Sequence, residues 1–164
     1  MTTSACAERL VETLRVVRRT VAVAESLTGG AVTDALVAVP GASRCVRGGV
    51  IAYATDLKAS LLDVPTEHLA RTGPVDPDVA LAMASGVRAR LGADYGIATT
   101  GVAGPDPQDG AAPGTFHVAV VGPWGSEVRS MVVGGDRSAV RASARDAALE
   151  LALGRVGDDA ALHP

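Results

Sequence analysis

Thr20-Val-Ala-Val-Ala-Glu25-Ser26-Leu-Thr-Gly-Gly30 joins a short apolar, β-branched run to two hydroxyl residues and two glycines. The run Thr20 to Ala24 reads as a strand. A helix follows from about Gly30 to Val39 and is closed by Pro40-Gly41. A strand that feeds straight into a helix is the unit from which α/β sheets are built.

Working outward, Leu10, Val11, Leu14 and Val17 recur at helical spacing within Ala7 to Arg19, predicting an amphipathic helix ahead of the strand. Downstream, a second strand is expected at Val46 to Tyr53, then a short helix capped by Thr55 and running through Leu62. Asp76-Pro77-Asp78 places an N-cap acid, a proline at the first helical position and an early acid, and Val79, Met83, Val87 and Leu91 carry that helix to Gly92. A third strand at Tyr95 to Thr99 enters the loop Gly101 to Gly114. Strands at Val118 to Val121 and Val128 to Val133 flank Gly122-Pro-Trp-Gly-Ser126 and read as an antiparallel pair. A last helix is expected from Asp136 to about Leu153, with a frayed tail after Gly157. This order predicts a single domain over residues 1–164 with a three-layer α/β/α sandwich and a mixed sheet.

Composition narrows the function classes. The chain is 48% apolar but only 2% aromatic, so its core must be filled by short aliphatic side chains in close contact. A net charge of −3 with dispersed Lys and Arg leaves no footprint for nucleic acid. Glu8 and Arg9 interrupt the place a signal peptide would need, and no apolar run is long enough for a span, so a cytoplasmic location without membrane contact is expected. Cys6 and Cys45 are expected to be reduced thiols. His68, His117 and His163 stand at spacings that make no zinc motif, so neither a metal nor a cofactor is expected. The density of Ala, Met and Val along Asp78 to Leu91 is compatible with a homo-oligomer.

Crevices in open α/β sheets form beyond the carboxyl ends of parallel strands. Three loops there are unusual: Glu25 to Gly30, Tyr53 to Lys58, and Thr99 to Pro105. None carries a dinucleotide or P-loop signature. On residues alone, Ser26 reads as a helix cap before a nucleophile, Lys58 as a solvated charge, and Tyr53 as a rim residue. Their common position at strand ends, however, allows a Ser–Lys pair. A lysine made less basic by burial can take the serine proton while backbone amides hold the oxyanion, with no histidine needed.

AESLTGG, GGVIAYATDLKASLLDV, GADYGIATTGVAGPDP, PGTFHVAV and GDRSAVR follow one another as they do in the CinA C-terminal domain, or PncC, family, and the chain resembles that family over residues 7–153. The resemblance implies a five-stranded mixed sheet. It also implies an amidohydrolase that converts nicotinamide mononucleotide, its pyridine nucleotide substrate, to nicotinate mononucleotide and ammonia. Ser26 would be the nucleophile, Lys58 the base, and Tyr53 a hydroxyl that relays or orients the proton. Thr28, Gly29 and Gly30 would supply the turn and its amide donors, and Thr100 and Gly101 the opposite wall. Arg137 and Arg141 would meet the phosphate, with surface arginines as the competing reading.

The sequence departs from the family pattern at Leu27, where Cys is frequent, at Ala54-Thr55 in place of Ser-Asn, and at Gly73-Pro-Val-Asp76 in place of Gly-Ala-Val-Ser. Gly110 to Gly114 also lacks a frequent lysine. No counterpart of the pyrophosphatase domain of larger CinA proteins is expected. Two other readings compete: a non-catalytic nucleotide-binding domain of the same fold, and a hydrolase built on Cys45 and His117, which the strand positions disfavour.

Overall fold

The structure is a computed structural model that describes residues 1–163. Five strands form one mixed sheet in the order β2-β1-β3-β4-β5. β1 (Val21–Glu25) pairs in parallel with β2 (Val46–Ile51) and β3 (Tyr95–Gly101). β4 (Thr115–Gly122) and β5 (Gly125–Val132) complete it antiparallel, as a hairpin.

The alternation of β1 sorts the core into two halves. Val21 and Val23 pack with α1 (Thr3–Val16), α2 (Ala31–Val37) and α6 (Arg137–Leu162). Ala22 and Ala24 pack on the other face against α5 (Pro77–Leu91) and the end of α3 (Thr55–Leu62). The result is the expected three-layer sandwich. With so few aromatics, closeness replaces bulk: a Cβ on Gly86 would overlap the Leu62 carbonyl, and one on Gly96 the Ala84 carbonyl.

Several boundaries differ from expectation for local reasons. The first helix starts earlier, because the Thr2 side chain accepts the Ala5 amide, and it stops at Val16. Arg18 adopts φ 54°, and the Arg18 and Arg19 amides donate to the Arg15 and Leu14 carbonyls, closing the helix. Thr55 does not cap α3; Ala54 holds that position and offers no side-chain oxygen. Asp76 does cap α5, accepting from the Asp78 and Val79 amides. α4 (Thr66–Thr72) escaped the sequence reading because it buries no residue and so shows no apolar period. Cys6 and Cys45 are free and buried.

The carboxyl-terminal segment is the clearest correction. It is not a frayed tail, since α6 continues to Leu162 with Val156 and Asp159 buried. Asp159 accepts from the Tyr95 hydroxyl (3.0 Å) and from Arg155 Nη2 (2.6 Å) and Nε (3.2 Å). Asp159→Ala strands a buried phenol and a guanidinium, so a loss of about 3 kcal/mol is expected. For a domain of this length that lowers Tm by about 6–12 °C in a thermal melt. A Tm unchanged within 2 °C would make the segment an ornament on the fold.

Candidate active site

The parallel register aligns Glu25 with Ile51 on one side and Thr99 on the other. The chain then leaves β1 toward the α2 layer and β2 toward the α3 layer, and a crevice opens between the departing segments. Its volume is about 350 Å³, and Ser26, Lys58, Tyr53, Thr100, Gly101 and Arg137 are among its walls.

The turn that carries Ser26 is built around Glu25. Gly30, the N-cap of α2, has φ 103° and no side chain with which to cap the helix. Fully buried Glu25 performs that task from the strand end. Its carboxylate accepts the amides of Gly30 (3.0 Å), Val32 (3.1 Å) and Thr33 (2.8 Å), and the Thr33 hydroxyl (2.7 Å). The turn is tied further by the Gly29 amide on the Ser26 carbonyl and the Ser26 amide on the Thr99 carbonyl, both 3.1 Å. The Leu27 and Thr28 amides donate to no protein group among the described residues.

Lys58 lies in α3 and is 1% exposed. Its Nζ donates to Ser26 Oγ at 3.0 Å and to the Ala52 carbonyl at 2.9 Å. Burial lowers its pKa from 10.5 to about 8, with the Asp109 charge pulling the other way. The amine can therefore be neutral near physiological pH, as a base must be.

The other expected site residues divide into two groups. Tyr53 is 59% exposed at the mouth of the crevice, and its hydroxyl accepts from Arg137 Nη2 (2.8 Å) rather than bonding to Ser26 or Lys58. Arg137 also donates to the Gly104 carbonyl (2.8 Å), which joins the mouth to the loop after β3. Thr100 is buried and its hydroxyl donates to the Pro74 carbonyl (2.6 Å), fixing the wall formed by Pro74 and Val75.

Thr28, Gly29, Gly30 and Arg141 stand behind the turn instead of lining the crevice. The Thr28 and Thr99 hydroxyls share a hydrogen bond (2.7 Å). Arg141 donates to the Leu27 (2.9 Å) and Thr28 (3.0 Å) carbonyls, so it clamps the turn from α6.

Glu25 and the Ala52 carbonyl were missed in the sequence. A carboxylate closing an otherwise apolar strand was the available signal for Glu25; nothing local marks a backbone carbonyl. Cys45 and His117 lie at opposite ends of the sheet: the Cys45 carbonyl accepts the Val21 amide, whereas His117 pairs with Thr100 and shares a bond with Ser130 (2.8 Å). His68, Asp76 and Asp78 bring ligand-type atoms within 4.8 Å of one another. Asp76 Oδ1 is already engaged there by His68 Nε2 and by the two amides it caps.

The fold and this crevice define a class: a three-layer α/β domain with a buried serine–lysine pair at the carboxyl edge of its parallel strands. The family model for the CinA C-terminal domain matches residues 3–156, and the chain belongs to that family. It is 52% identical over 132 residues to a CinA-like protein of Frankia casuarinae, covering 80% of this chain and 30% of that one. A putative competence-damage inducible protein of Desulforamulus reducens is 44% identical over 133 residues, covering 81% of this chain and 32% of that one. The chain thus spans about a third of the length of these relatives.

Among solved structures, a CinA superfamily protein from Klebsiella pneumoniae superposes with a TM-score of 0.91 at 29% identity, covering 96% of this chain and 99% of that one. A competence/damage inducible protein from Agrobacterium tumefaciens does so at 0.90 and 32% identity, covering 94% and 95%. No helix among the described residues is long and apolar enough to cross a membrane.

Proposed function

We propose that this domain is an amidohydrolase that deamidates nicotinamide mononucleotide through a serine ester. The observation that carries the reading is the 3.0 Å contact between Ser26 Oγ and a buried lysine amine of lowered basicity. Neutral Lys58 takes the Ser26 proton as Oγ attacks the carboxamide carbon, and the carbonyl oxygen becomes an oxyanion. The Leu27 amide, which no protein group engages among the described residues and whose residue lines the crevice, is the donor available to it. The C–N bond then breaks, Lys58 returns its proton to the leaving nitrogen, and ammonia departs. Water attacks the ester with Lys58 again taking the proton, releasing nicotinate mononucleotide and restoring Ser26. Arg137 at the mouth has N–H groups beyond the two in use, which supports a role for it in meeting the nucleotide phosphate.

Incubation of the purified protein with nicotinamide mononucleotide should release ammonia and nicotinate mononucleotide in equal amounts. Tight binding without turnover would instead make the domain a nucleotide-binding module. The pH dependence follows from Lys58. Only the neutral amine is a base, so kcat/KM should fall about tenfold for each pH unit below 8 and level off above about 9. A flat profile between pH 6 and 9 would remove Lys58 from the role of base.

A further inference from the structure

At the amino edge of the sheet, remote from Ser26, the end of α1 gathers cations around a second cavity. Leu14, Arg15, Arg18, Thr20 and Arg44 enclose about 310 Å³ there, with no carboxylate in the wall. The two acids that border the cluster are already committed. Glu12 pairs with Arg15 Nη1 (2.8 Å), and Asp94 holds Arg19 (3.0 Å) and the amide and hydroxyl of Thr20 (2.8 and 2.9 Å). The side chains of Arg18 and Arg44 have no hydrogen-bond or ion-pair partner among the described residues.

Two further observations show that this arrangement is held against cost. Arg18 closes α1 at the left-handed position, φ 54°, that glycine fills without steric penalty. Arg15 Nε is the one buried side-chain nitrogen or oxygen without a partner among the described residues. The Arg15 guanidinium lies against Gly41, where a Cβ would stand 3.5 Å from Cζ and Nη1. Arg15 is half-buried while Arg18 and Arg44 are exposed, so three like charges converge at an open mouth where a bound anion would relieve their repulsion. The carbonyl end of α1 would disfavour an anion, but the Leu14 and Arg15 carbonyls are occupied by the closing amides.

We propose that this cavity binds a phosphate dianion, either inorganic phosphate or the phosphate of a nucleotide. It is a site separate from the Ser26 crevice and independent of what that crevice does. Guanidinium groups suit such a ligand because their paired N–H donors match two phosphate oxygens at once.

The test uses the full chain at constant ionic strength, titrated calorimetrically with inorganic phosphate and, separately, with adenosine monophosphate. The amide resonances of residues 14–20 are followed by NMR in parallel. Arg18→Gly removes one guanidinium while relaxing the turn, so its fold is not at risk, and Arg44→Ala removes a second. Saturable binding that shifts these resonances and weakens about tenfold in each variant is the expected result. Tighter binding of the nucleotide would identify a nucleotide as the source, and equal binding would identify phosphate alone. The proposal is overturned if neither probe saturates, if both variants bind as the wild type does, or if affinity is lost in Arg137→Ala instead.

Discussion

Ser26→Ala and Lys58→Met should each abolish ammonia release from nicotinamide mononucleotide, and the double variant should be little worse than either single one. The serine hydroxyl is a poor nucleophile without a base, and without the serine no ester forms for Lys58 to help hydrolyse. Groups that act as a unit show this non-additivity. Stability separates loss of chemistry from loss of fold. The pKa of Lys58 falls from 10.5 to about 8, so keeping this amine charged inside the fold costs about 3 kcal/mol. Because the folded value is the lower one, the folded state binds fewer protons between pH 8 and 10.5. Stability therefore rises with pH across that window, and the penalty is complete below pH 8.

Methionine fills much of the same space without the charge, so Lys58→Met should melt no lower than the wild type at pH 7 despite losing the bonds to Ser26 and Ala52. Truncation to alanine is a poorer test, because removing a fully buried side chain leaves a cavity. A folded, fully active Ser26→Ala would make the serine a turn residue and send the search for a nucleophile elsewhere.

The largest stability effect is expected at Glu25. Glu25→Ala removes the acceptor from three amides and one hydroxyl in the buried start of α2, for a loss of about 4 kcal/mol. Tm should drop by about 8–16 °C. Glu25→Gln keeps the shape and one carbonyl oxygen but turns amide hydrogens toward amide donors, so it should fall between the two. Below its melting range Glu25→Ala should still lose kcat, because the turn holding Ser26 against Lys58 is anchored by this carboxylate. A melt within 2 °C of the wild type would show that Gly30, Val32 and Thr33 find other acceptors.

The elements written in short-range pattern are legible in the sequence itself. The apolar run into Glu25-Ser26, the Asp76-Pro77 start of α5 and the hairpin around Pro123-Trp124 each depend on backbone preferences and side-chain period within a few residues. The placing of Ser26, Tyr53 and Lys58 at one edge followed from strand direction alone. The family motifs spanned most of the chain. Where local pattern was absent, as in α4 with no buried face, the reading failed.

Lys58 looked like a solvated helix charge, and only the packing of α3 beneath the Ser26 turn made it a buried amine. Arg137 and Arg141 stand one helical turn apart and read alike, yet one faces the crevice and the other clamps the Leu27 and Thr28 carbonyls. Asp159 read as part of a loose end until Tyr95 and Arg155 were seen to meet it. In each case the deciding partner is a surface brought up by the fold, mostly from distant parts of the chain. Burial, charge state and hydrogen-bond partner are properties of that assembled environment, whereas helix and strand preferences belong to the residues and their immediate neighbours.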